Sequence, residues 1–253
     1  NMNIAVITGA SSGLGTEYAK ATDKYFEGID EIWLIARRKE RLEKLADTIM
    51  LPCRIIDIDI TDDNSLNHYK EMLEIYEARV RLLINNAGFG KLGDFEKISR
   101  EDNAGMVRLN CEAVTVITSI TLPFMKSGAQ IINVSSIASF VPNTRMAVYC
   151  STKAYITSFS RALRGELKER RINVLAVCPG PMDTEFLPVA NIYKGASKTF
   201  DMLPRVNPER VARKSLEASK KHRAVYTDRA FYKFYRFLSK IIPHGIMMKL
   251  AGA

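Results

Sequence analysis

The sequence has only four cysteines, and they lie far apart: Cys53, Cys111, Cys150 and Cys178. None of them belongs to a CxxC pair, and no pair of histidines lies near any of them. Disulfide frameworks and zinc sites both depend on closely spaced ligands. The sequence therefore predicts neither a disulfide-stabilised scaffold nor a metal site, and it favours a reducing, cytoplasmic setting.

Long hydrophobic runs are also missing. No uninterrupted apolar run approaches the ~20 residues that a bilayer crossing needs. The residues after Met2 enter a predicted strand directly, without a charged leader and an apolar signal core, so we expect no signal peptide. No low-complexity stretch or Pro/Gly/Ser-rich linker divides the 253 residues, of which 47% are hydrophobic. A single α/β domain is the expected organisation.

Acidic residues are scarce in one part of the chain only. Residues 1–204 contain 25 Lys and Arg against 25 Asp and Glu, whereas residues 205–253 contain 12 against 3. The formal net charge of +9 therefore comes entirely from the C-terminal segment. Basic proteins often bind nucleic acid, but the neutral body argues against such a partner here.

Short apolar runs alternate with helix-forming segments along the chain. Such alternation is typical of parallel strands that are covered by helices on both faces. The sequence therefore predicts an α/β fold, a Rossmann-like doubly wound parallel sheet of about seven strands. The predicted domain covers residues 2–228, followed by a basic amphipathic extension over residues 229–253. The predicted strands are residues 3–8, 32–36, 54–58, 82–85, 130–134, 173–177 and 224–227.

A glycine-rich turn follows the first predicted strand, in the run Thr8-Gly9-Ala10-Ser11-Ser12-Gly13-Leu14-Gly15. Glycines permit a tight turn and close approach of a ligand, and the amino end of the next helix attracts an anionic pyrophosphate. A glycine-rich turn by itself is often only a turn. Its position between the first strand and the first helix makes it a dinucleotide-binding signal.

A second signal is the pair Tyr149 and Lys153, which lie four residues apart in a helix-forming stretch. Residues with this spacing share one helix face. An ammonium group beside a phenol stabilises the phenolate and lowers the pKa of the phenol. The pair is thus a candidate acid/base unit, although one such pair alone also fits an ordinary exposed helix face.

Together with Asn85-Asn86-Ala87-Gly88 after the fourth predicted strand, these motifs resemble the short-chain dehydrogenase/reductase family. The resemblance covers residues 3 to about 184. It implies that Tyr149, Lys153, Ser136 and Asn110 are catalytic, with Ser135 more structural. It also implies a dinucleotide site, and the residues it assigns there are Gly9, Ser11, Ser12, Gly13, Leu14, Gly15, Asn86, Ala87, Gly88, Tyr149, Lys153, Pro179, Gly180 and Thr184.

The end of the second predicted strand indicates the cofactor. Enzymes that prefer NAD place an acid there to bind the ribose hydroxyls, whereas a 2′-phosphate requires a cation. Here Ala36 holds that position and Arg37 and Arg38 follow it. Since Arg binds phosphate with paired charge-assisted bonds, we expect NADP(H). One point is against this expectation: Ser12 stands where many NADP(H) members of the family have a second basic residue. Both arginines could also be solvated residues at the start of the next helix. Asp59 and Ile60 match family positions that flank the adenine.

The expected reaction is the interconversion of a secondary alcohol and a ketone. Predicted substrate contacts are Phe89, Phe140, Met146 and Phe186, in loops that include the substrate loop at about residues 181–204. Apolar walls favour a lipophilic compound such as a steroid, bile acid or fatty chain, but the same side chains could pack on one another. Family resemblance favours a homodimer or homotetramer.

The extension from Arg229 onward repeats apolar residues at helical spacing, with Lys233, Arg236 and Lys240 on other faces. Three interpretations remain open for it: packing on its own domain or a sister subunit, contact with an anionic membrane surface, or closure of the substrate mouth. An alternative function is an NAD(P)-binding regulatory or membrane-surface protein with this fold and little catalysis. The intact Ser, Tyr and Lys favour an enzyme.

Overall fold

The structure is a computed structural model that describes residues 2–251, except for the side chains of Lys198, Thr199, Leu250 and Ala251. Within this range the chain alternates between strands and helices. The strands are β1 (Asn3–Thr8), β2 (Glu31–Ile35), β3 (Cys53–Ile56), β4 (Arg79–Asn85), β5 (Met125–Val134), β6 (Asn173–Val177) and β7 (Val225–Tyr226).

The helices lie between these strands and after the last one. They are α1 (Gly13–Tyr25), α2 (Lys39–Ala46), α3 (Asp63–Ile75), α4 (Arg100–Val107), α5 (Ala113–Thr121), α6 (Ala147–Glu166), α7 (Phe186–Val189), α8 (Lys198–Met202), α9 (Pro208–Lys220), α10 (Ala230–Ile241) and α11 (His244–Ala251). Of the helices in the described range, none combines the length and apolar character that a bilayer crossing requires.

The strands form one parallel sheet in the order β3-β2-β1-β4-β5-β6-β7. This arrangement confirms the predicted Rossmann-like doubly wound fold. The strand order reverses between β1 and β4, which are neighbours although two strands separate them in the chain. In sheets of this type, ligands bind beyond the carboxyl ends of the strands at that reversal.

Successive side chains of each strand point to opposite faces of the sheet, and both faces are buried. On β1, Ala5 and Ile7 pack with helices α1, α2 and α9, whereas Ile4 and Val6 pack with α3, α5 and α6. All four are fully buried. Burial on both sides explains why the strands read as continuous apolar runs in the sequence.

The largest differences from the predicted strand bounds are in β4 and β5, which begin three and five residues earlier than predicted. β4 and β5 extend back to Arg79 and Met125, where the irregular register includes the exposed Lys126. These polar positions break the apolar pattern on which the prediction depended. At the sheet edge, β7 is limited to two residues.

The turn between β1 and α1 packs directly against the end of β4. Asn86 Nδ2 donates to the carbonyl oxygens of Thr8 and Gly9, at 3.2 Å in each case. The Thr8 hydroxyl accepts from the amides of Asn86 and Ala87 at 3.1 Å. A Cβ on Gly15 would overlap the carbonyl oxygen of Gly9 and lie 2.6 Å from Asn86 Nδ2. Gly15 is therefore required for this packing rather than for a special backbone angle.

We predict that Gly15→Ala lowers the free energy of unfolding by about 3 kcal/mol, because the added methyl group forces backbone atoms apart. The matched control is Gly165→Ala in α6, where an added Cβ meets nothing within 4 Å. The control should stabilise the protein by up to about 1 kcal/mol through helix propensity. Urea unfolding measures both, and a Gly15→Ala variant as stable as wild type would contradict the packing argument.

Candidate functional site

One large cleft of about 1240 Å³ opens at the carboxyl ends of the strands. It extends from Arg37 and Arg38 after β2, past the glycine-rich turn, to Tyr149 and Lys153 on α6. Its far wall includes residues of α10. The sequence motifs that follow separate strands therefore meet in one continuous space.

The glycine-rich turn forms the middle of the cleft floor. Ser11, Ser12, Gly13 and Leu14 line it, whereas Gly15 packs behind the turn. Among the described contacts, the α1 N-cap Ser12 makes no side-chain capping bond, and the first turn of α1 contains no acid. The start of α1 therefore lines the cleft and contains no acidic side chain of its own, which suits an anion-binding helix terminus.

The two arginines after β2 behave differently. Arg38 donates to the Ser11 hydroxyl through Nε and Nη2, at 3.3 and 3.2 Å, and to Glu185 through Nη1 at 2.9 Å. Arg41 also binds Glu185. Among the described residues, the ion pair of Arg37 is a long, exposed contact of 3.9 Å with Asp59. Arg38, rather than Arg37, is therefore the arginine held beside the glycine-rich turn.

Glu185 had no sequence signal, because no simple pattern relates the loop after β6 to the end of β2. Hydrogen bonds from Arg41 and Arg38 lower the pKa of the Glu185 carboxyl. For Asp59, burial is the largest single influence and raises the pKa, but the bonds from Thr61 and the charge of Arg37 together outweigh it, so the pKa is lowered. Asp59 and Ile60 line the cleft at the same end as the arginines.

Asn86, Ala87 and Gly88 line the cleft where β4 ends. A Cβ on Gly88 would lie 2.9 Å from Asn110 Oδ1 and 3.4 Å from Lys153 Nζ. The missing side chain at Gly88 therefore leaves room for these two polar groups to approach the same point on the backbone.

Tyr149 and Lys153 are both buried on the cleft side of α6. Lys153 Nζ lies 5.8 Å from the centre of the Tyr149 ring and donates to the carbonyl oxygen of Val134 at 3.0 Å. Ser136 follows the end of β5, and its hydroxyl accepts from the amide of Ala138 at 3.1 Å. The neighbouring Ser135 donates to the Lys153 carbonyl at 2.9 Å, so it fixes the helix backbone.

Burial sets the protonation of this pair. It raises the pKa of Tyr149 well above its ordinary value, and a hydrogen bond with Ser136 offsets part of that increase. Burial also lowers the pKa of Lys153 to about 8. We expected the ammonium to lower the pKa of the phenol, but this arrangement does not show that effect. In this arrangement the ammonium bonds to the Val134 carbonyl, and its effect on the phenol stays a prediction.

Asn110 lies behind the pair, in a π-helical turn over Arg108–Glu112 between α4 and α5. Its Oδ1 accepts from the amide of Phe89 at 3.0 Å, and its Nδ2 donates to the Phe89 carbonyl at 2.8 Å and to Thr152 Oγ1 at 3.0 Å. Thr152 in turn donates to the Tyr149 carbonyl at 2.8 Å. Asn110 thus joins the loop after β4 to the helix that carries Tyr149 and Lys153.

Pro179, Gly180 and Thr184 line the cleft beyond β6. A Cβ on Gly13 would lie 3.3 Å from Thr184 Cβ, so the loop after β6 reaches the glycine-rich turn. A Cβ on Gly180 would lie 2.6 Å from Tyr232 Cζ on α10. The C-terminal helix therefore packs directly on the strand end that forms this part of the cleft.

Three of the four predicted substrate contacts line the cleft: Phe89, Met146 and Phe186. The Phe186 ring lies 5.6 Å from that of Tyr149. Phe140 is not among the described residues that line the cleft. It follows the short helical turn Ile137–Ser139 and is buried in a cluster with Cys178 and Met247, with its ring 6.1 Å from that of Tyr235. Its role as a substrate contact stays a prediction.

The sequence analysis missed several apolar cleft residues in α10, namely Phe231, Phe234 and Leu238. Their helical spacing was visible in the sequence, and closure of the substrate mouth was one interpretation of it. Only the packing of Tyr232 against Gly180 shows that this helix lies beside the cleft.

Known proteins resemble this chain in both sequence and fold. The short chain dehydrogenase family model matches residues 3–192. The NADP-dependent 3-hydroxy acid dehydrogenase of Schizosaccharomyces pombe is 32% identical over 208 residues, which cover 76% of this chain and 79% of the relative.

Two solved structures superpose on most of the chain. A short-chain dehydrogenase from Sphingobium yanoikuyae in complex with NADPH is 25% identical, with a TM-score of 0.79, and the match covers 98% of this chain and 95% of the other. A 3-ketoacyl-(acyl-carrier-protein) reductase from Brucella melitensis complexed with NADH is also 25% identical, with a TM-score of 0.77 and coverage of 89% and 96%. These matches, together with the motifs assembled around one cleft, show that the chain belongs to the short-chain dehydrogenase/reductase family of oxidoreductases.

Proposed function

We propose that the protein is an NADP(H)-dependent dehydrogenase/reductase that interconverts a secondary alcohol and a ketone on a lipophilic substrate. The observation that carries the proposal is the placement of Tyr149 and Lys153 at one end of a cleft whose other end holds Arg38 and Ser11. A nicotinamide cofactor agrees with the NADPH and NADH complexes of the two structural relatives.

The cleft residues fit such a dinucleotide. The glycine-rich turn and the start of α1 line the cleft without an acid in the first helical turn, which suits a pyrophosphate. Asp59 and Ile60 would flank the adenine, and Asn86, Ala87 and Gly88 would line the path toward Lys153. Pro179, Gly180 and Thr184 would hold the nicotinamide end.

Arg38 supports the preference for NADP(H). It is anchored by Ser11, so its guanidinium is held near the expected position of the adenosine ribose. A guanidinium pairs well with a phosphate in this setting. The Glu185 carboxylate already pairs with Nη1 of Arg38, so a bound 2′-phosphate would compete with that carboxylate for the guanidinium.

A bound nicotinamide supplies or accepts the hydride. Tyr149 would protonate the carbonyl oxygen during reduction and take the hydroxyl proton during oxidation. Ser136 would hold the substrate oxygen, and its hydrogen bond to Tyr149 already favours the phenolate. Lys153 would bind the nicotinamide ribose and stabilise the phenolate once it leaves the Val134 carbonyl. Asn110 would position Lys153 through water and hold the loop after β4.

The substrate end of the cleft is apolar. Phe89, Met146, Phe186, Phe231 and Phe234 line it. Such walls favour a steroid, a bile acid or a fatty chain over a sugar. The relatives that act on a 3-hydroxy acid and a 3-ketoacyl group support an acyl-like compound within this class.

Two further parts of the proposal depend on the family resemblance. We infer a homodimer or homotetramer and a cytoplasmic location. We also infer that residues 2–228 form the dinucleotide-binding oxidoreductase domain and that residues 229–253 are its extension.

Replacing Tyr149 with Phe should lower kcat at least about a hundredfold, because the proton donor is lost. NADPH binding should remain within a few-fold of wild type. The matched control is Tyr155→Phe on the same helix, whose hydroxyl bonds Thr115 at the surface. Steady-state kinetics with a ketone panel and fluorescence titration with NADPH measure the two effects. Near-normal turnover of Tyr149→Phe would rule out the assigned role.

Replacing Arg38 with Ala should raise the KM for NADPH about tenfold and change the KM for NADH by less than about twofold, since only NADPH has the phosphate that Arg38 would bind. Arg100→Ala serves as the control, because it removes an equally charged side chain whose ion pair among the described residues is with the exposed Glu101. An unchanged ratio of the two constants in Arg38→Ala would remove the basis for the NADP(H) preference.

The lowered pKa of Lys153 predicts a pH dependence of stability. Below about pH 8 the lysine is charged in both states, so the cost of burying it is fully present. Between about 8 and its ordinary value of 10.5 the folded protein binds fewer protons than the unfolded chain, so stability rises with pH. Relative to Lys153→Met, wild type should gain about 1 kcal/mol between pH 8 and 9. Urea unfolding at the two pH values tests this. If the difference in the free energy of unfolding between wild type and Lys153→Met were the same at both pH values, the pKa of Lys153 would not be lowered.

A further inference from the structure

Helix α10 has two apolar faces, and within the described part of the chain one of them is packed on the domain while the other is exposed. Tyr232 is fully buried against Gly180 and donates to the Pro204 carbonyl at 2.6 Å. Tyr235 and Ile242 pack in the cluster around Phe140 and Val141. These residues account for the inner face of the helix.

The outer face is apolar and exposed. Phe231, Phe234, Phe237 and Ile241 are 51%, 59%, 57% and 62% exposed, respectively. Their spacing of three and four residues places them along one side of the helix. Four large apolar side chains exposed together on one helix mark an interaction surface rather than scattered surface residues.

Cations flank this outer face. Lys233 and Lys240 are exposed and seven residues apart, so they lie along one line of the helix beside Phe237. Residues 229–253 contain five Lys and Arg and no Asp or Glu. The surface therefore combines apolar side chains with a positive charge that no acid in its own segment neutralises.

The outer face is continuous with the cleft. Phe231, Phe234 and Leu238 line the cleft, while Phe231 and Phe234 are also exposed at the outer face. These side chains form the edge of the opening. Whatever covers the outer face of α10 therefore also lies at the entrance to the apolar end of the cleft.

We propose that the outer face of α10 docks on an anionic lipid bilayer, with the aromatic side chains in the interface and the lysines at the headgroups. A second copy of the same face is a poorer occupant, because two-fold pairing of this segment would bring cations together without acids to neutralise them. Anionic lipid supplies the complementary charge and accepts the apolar side chains. The consequence that lipophilic substrate enters the cleft from the bilayer rests on the proposed function, whereas the docking itself does not.

The test is cosedimentation of the full-length protein with phosphatidylcholine vesicles that contain or lack phosphatidylglycerol, at low salt. Wild type should pellet with the anionic vesicles and stay in the supernatant with the neutral ones. Lys233→Gln/Lys240→Gln should bind about thirtyfold more weakly, at about 1 kcal/mol per cation. Phe237→Ser/Ile241→Ser changes exposed residues outside the cleft lining and should also lose binding.

Two control variants carry the same chemical changes elsewhere. Lys126→Gln/Lys168→Gln removes two exposed lysines, and Phe95→Ser removes an aromatic residue that is 62% exposed. Both should bind the anionic vesicles as wild type does. Circular dichroism and thermal unfolding of every variant confirm that a loss of binding does not reflect unfolding.

Three results would overturn the docking proposal. Wild type could remain in the supernatant with anionic vesicles, or the α10 variants could bind as the controls do. Light scattering without vesicles could also show that Phe237→Ser/Ile241→Ser dissociates an oligomer, in which case this face is a subunit interface. Sedimentation does not require turnover. Vesicle binding by a protein that reduces no ketone would therefore refute the proposed reaction and leave the docking intact.

Discussion

The buried ammonium group of Lys153 is the constraint on which the rest of the site depends. It bonds to a backbone carbonyl, and it forms no ion pair with a carboxylate among residues 2–251. A buried cation without a counter-ion is costly, and here the cost shows as a pKa lowered to about 8. The fold retains this charge at the end of the cleft, beside a phenol whose own pKa is raised by the same burial.

Contacts from several elements hold Lys153 in this buried position. Ser135 fixes its backbone, Gly88 gives its side chain room, and Asn110 ties the loop after β4 to α6 through Thr152. These contacts come from β4, β5 and the π-helical turn. The parallel sheet brings them together because all its strands end at the same edge. Protonation at the site is therefore governed by the whole strand edge and by whatever ligand enters the cleft.

Local signals predicted most of this arrangement. The glycine-rich turn, Asn86 to Gly88, and the spacing of Tyr149 and Lys153 all depend on short stretches of chain, and the alternation of elements was sufficient for the sheet. Gly15 is required because the glycine-rich turn packs closely on Asn86, whereas the sequence motif assigned this residue to the dinucleotide site. The roles of these residues in catalysis and cofactor binding stay predictions.

Contacts between distant segments were not predictable in the same way. The bond between Arg38 and Glu185 joins residues 147 positions apart, and no pattern in either segment points to the other. The packing of Phe140 with Cys178 and Met247 was not predictable either, because an apolar residue after a strand can face the cleft or the core. The cleft residues of α10 were visible as an amphipathic pattern, but their location depends on Tyr232 fitting against Gly180.

The central claim is that this cleft transfers a hydride between a nicotinamide and a carbonyl carbon. The most direct measurement uses NADPH that carries deuterium at both C4 positions of the nicotinamide. It is incubated with the protein and a panel of steroid, oxoacyl and bile-acid ketones, and the products are analysed by mass spectrometry and NMR. The account predicts an alcohol that carries the deuterium on its carbinol carbon. If no ketone acquires deuterium from deuterated NADPH or NADH, although the protein binds the cofactor, the site does not perform the proposed reaction.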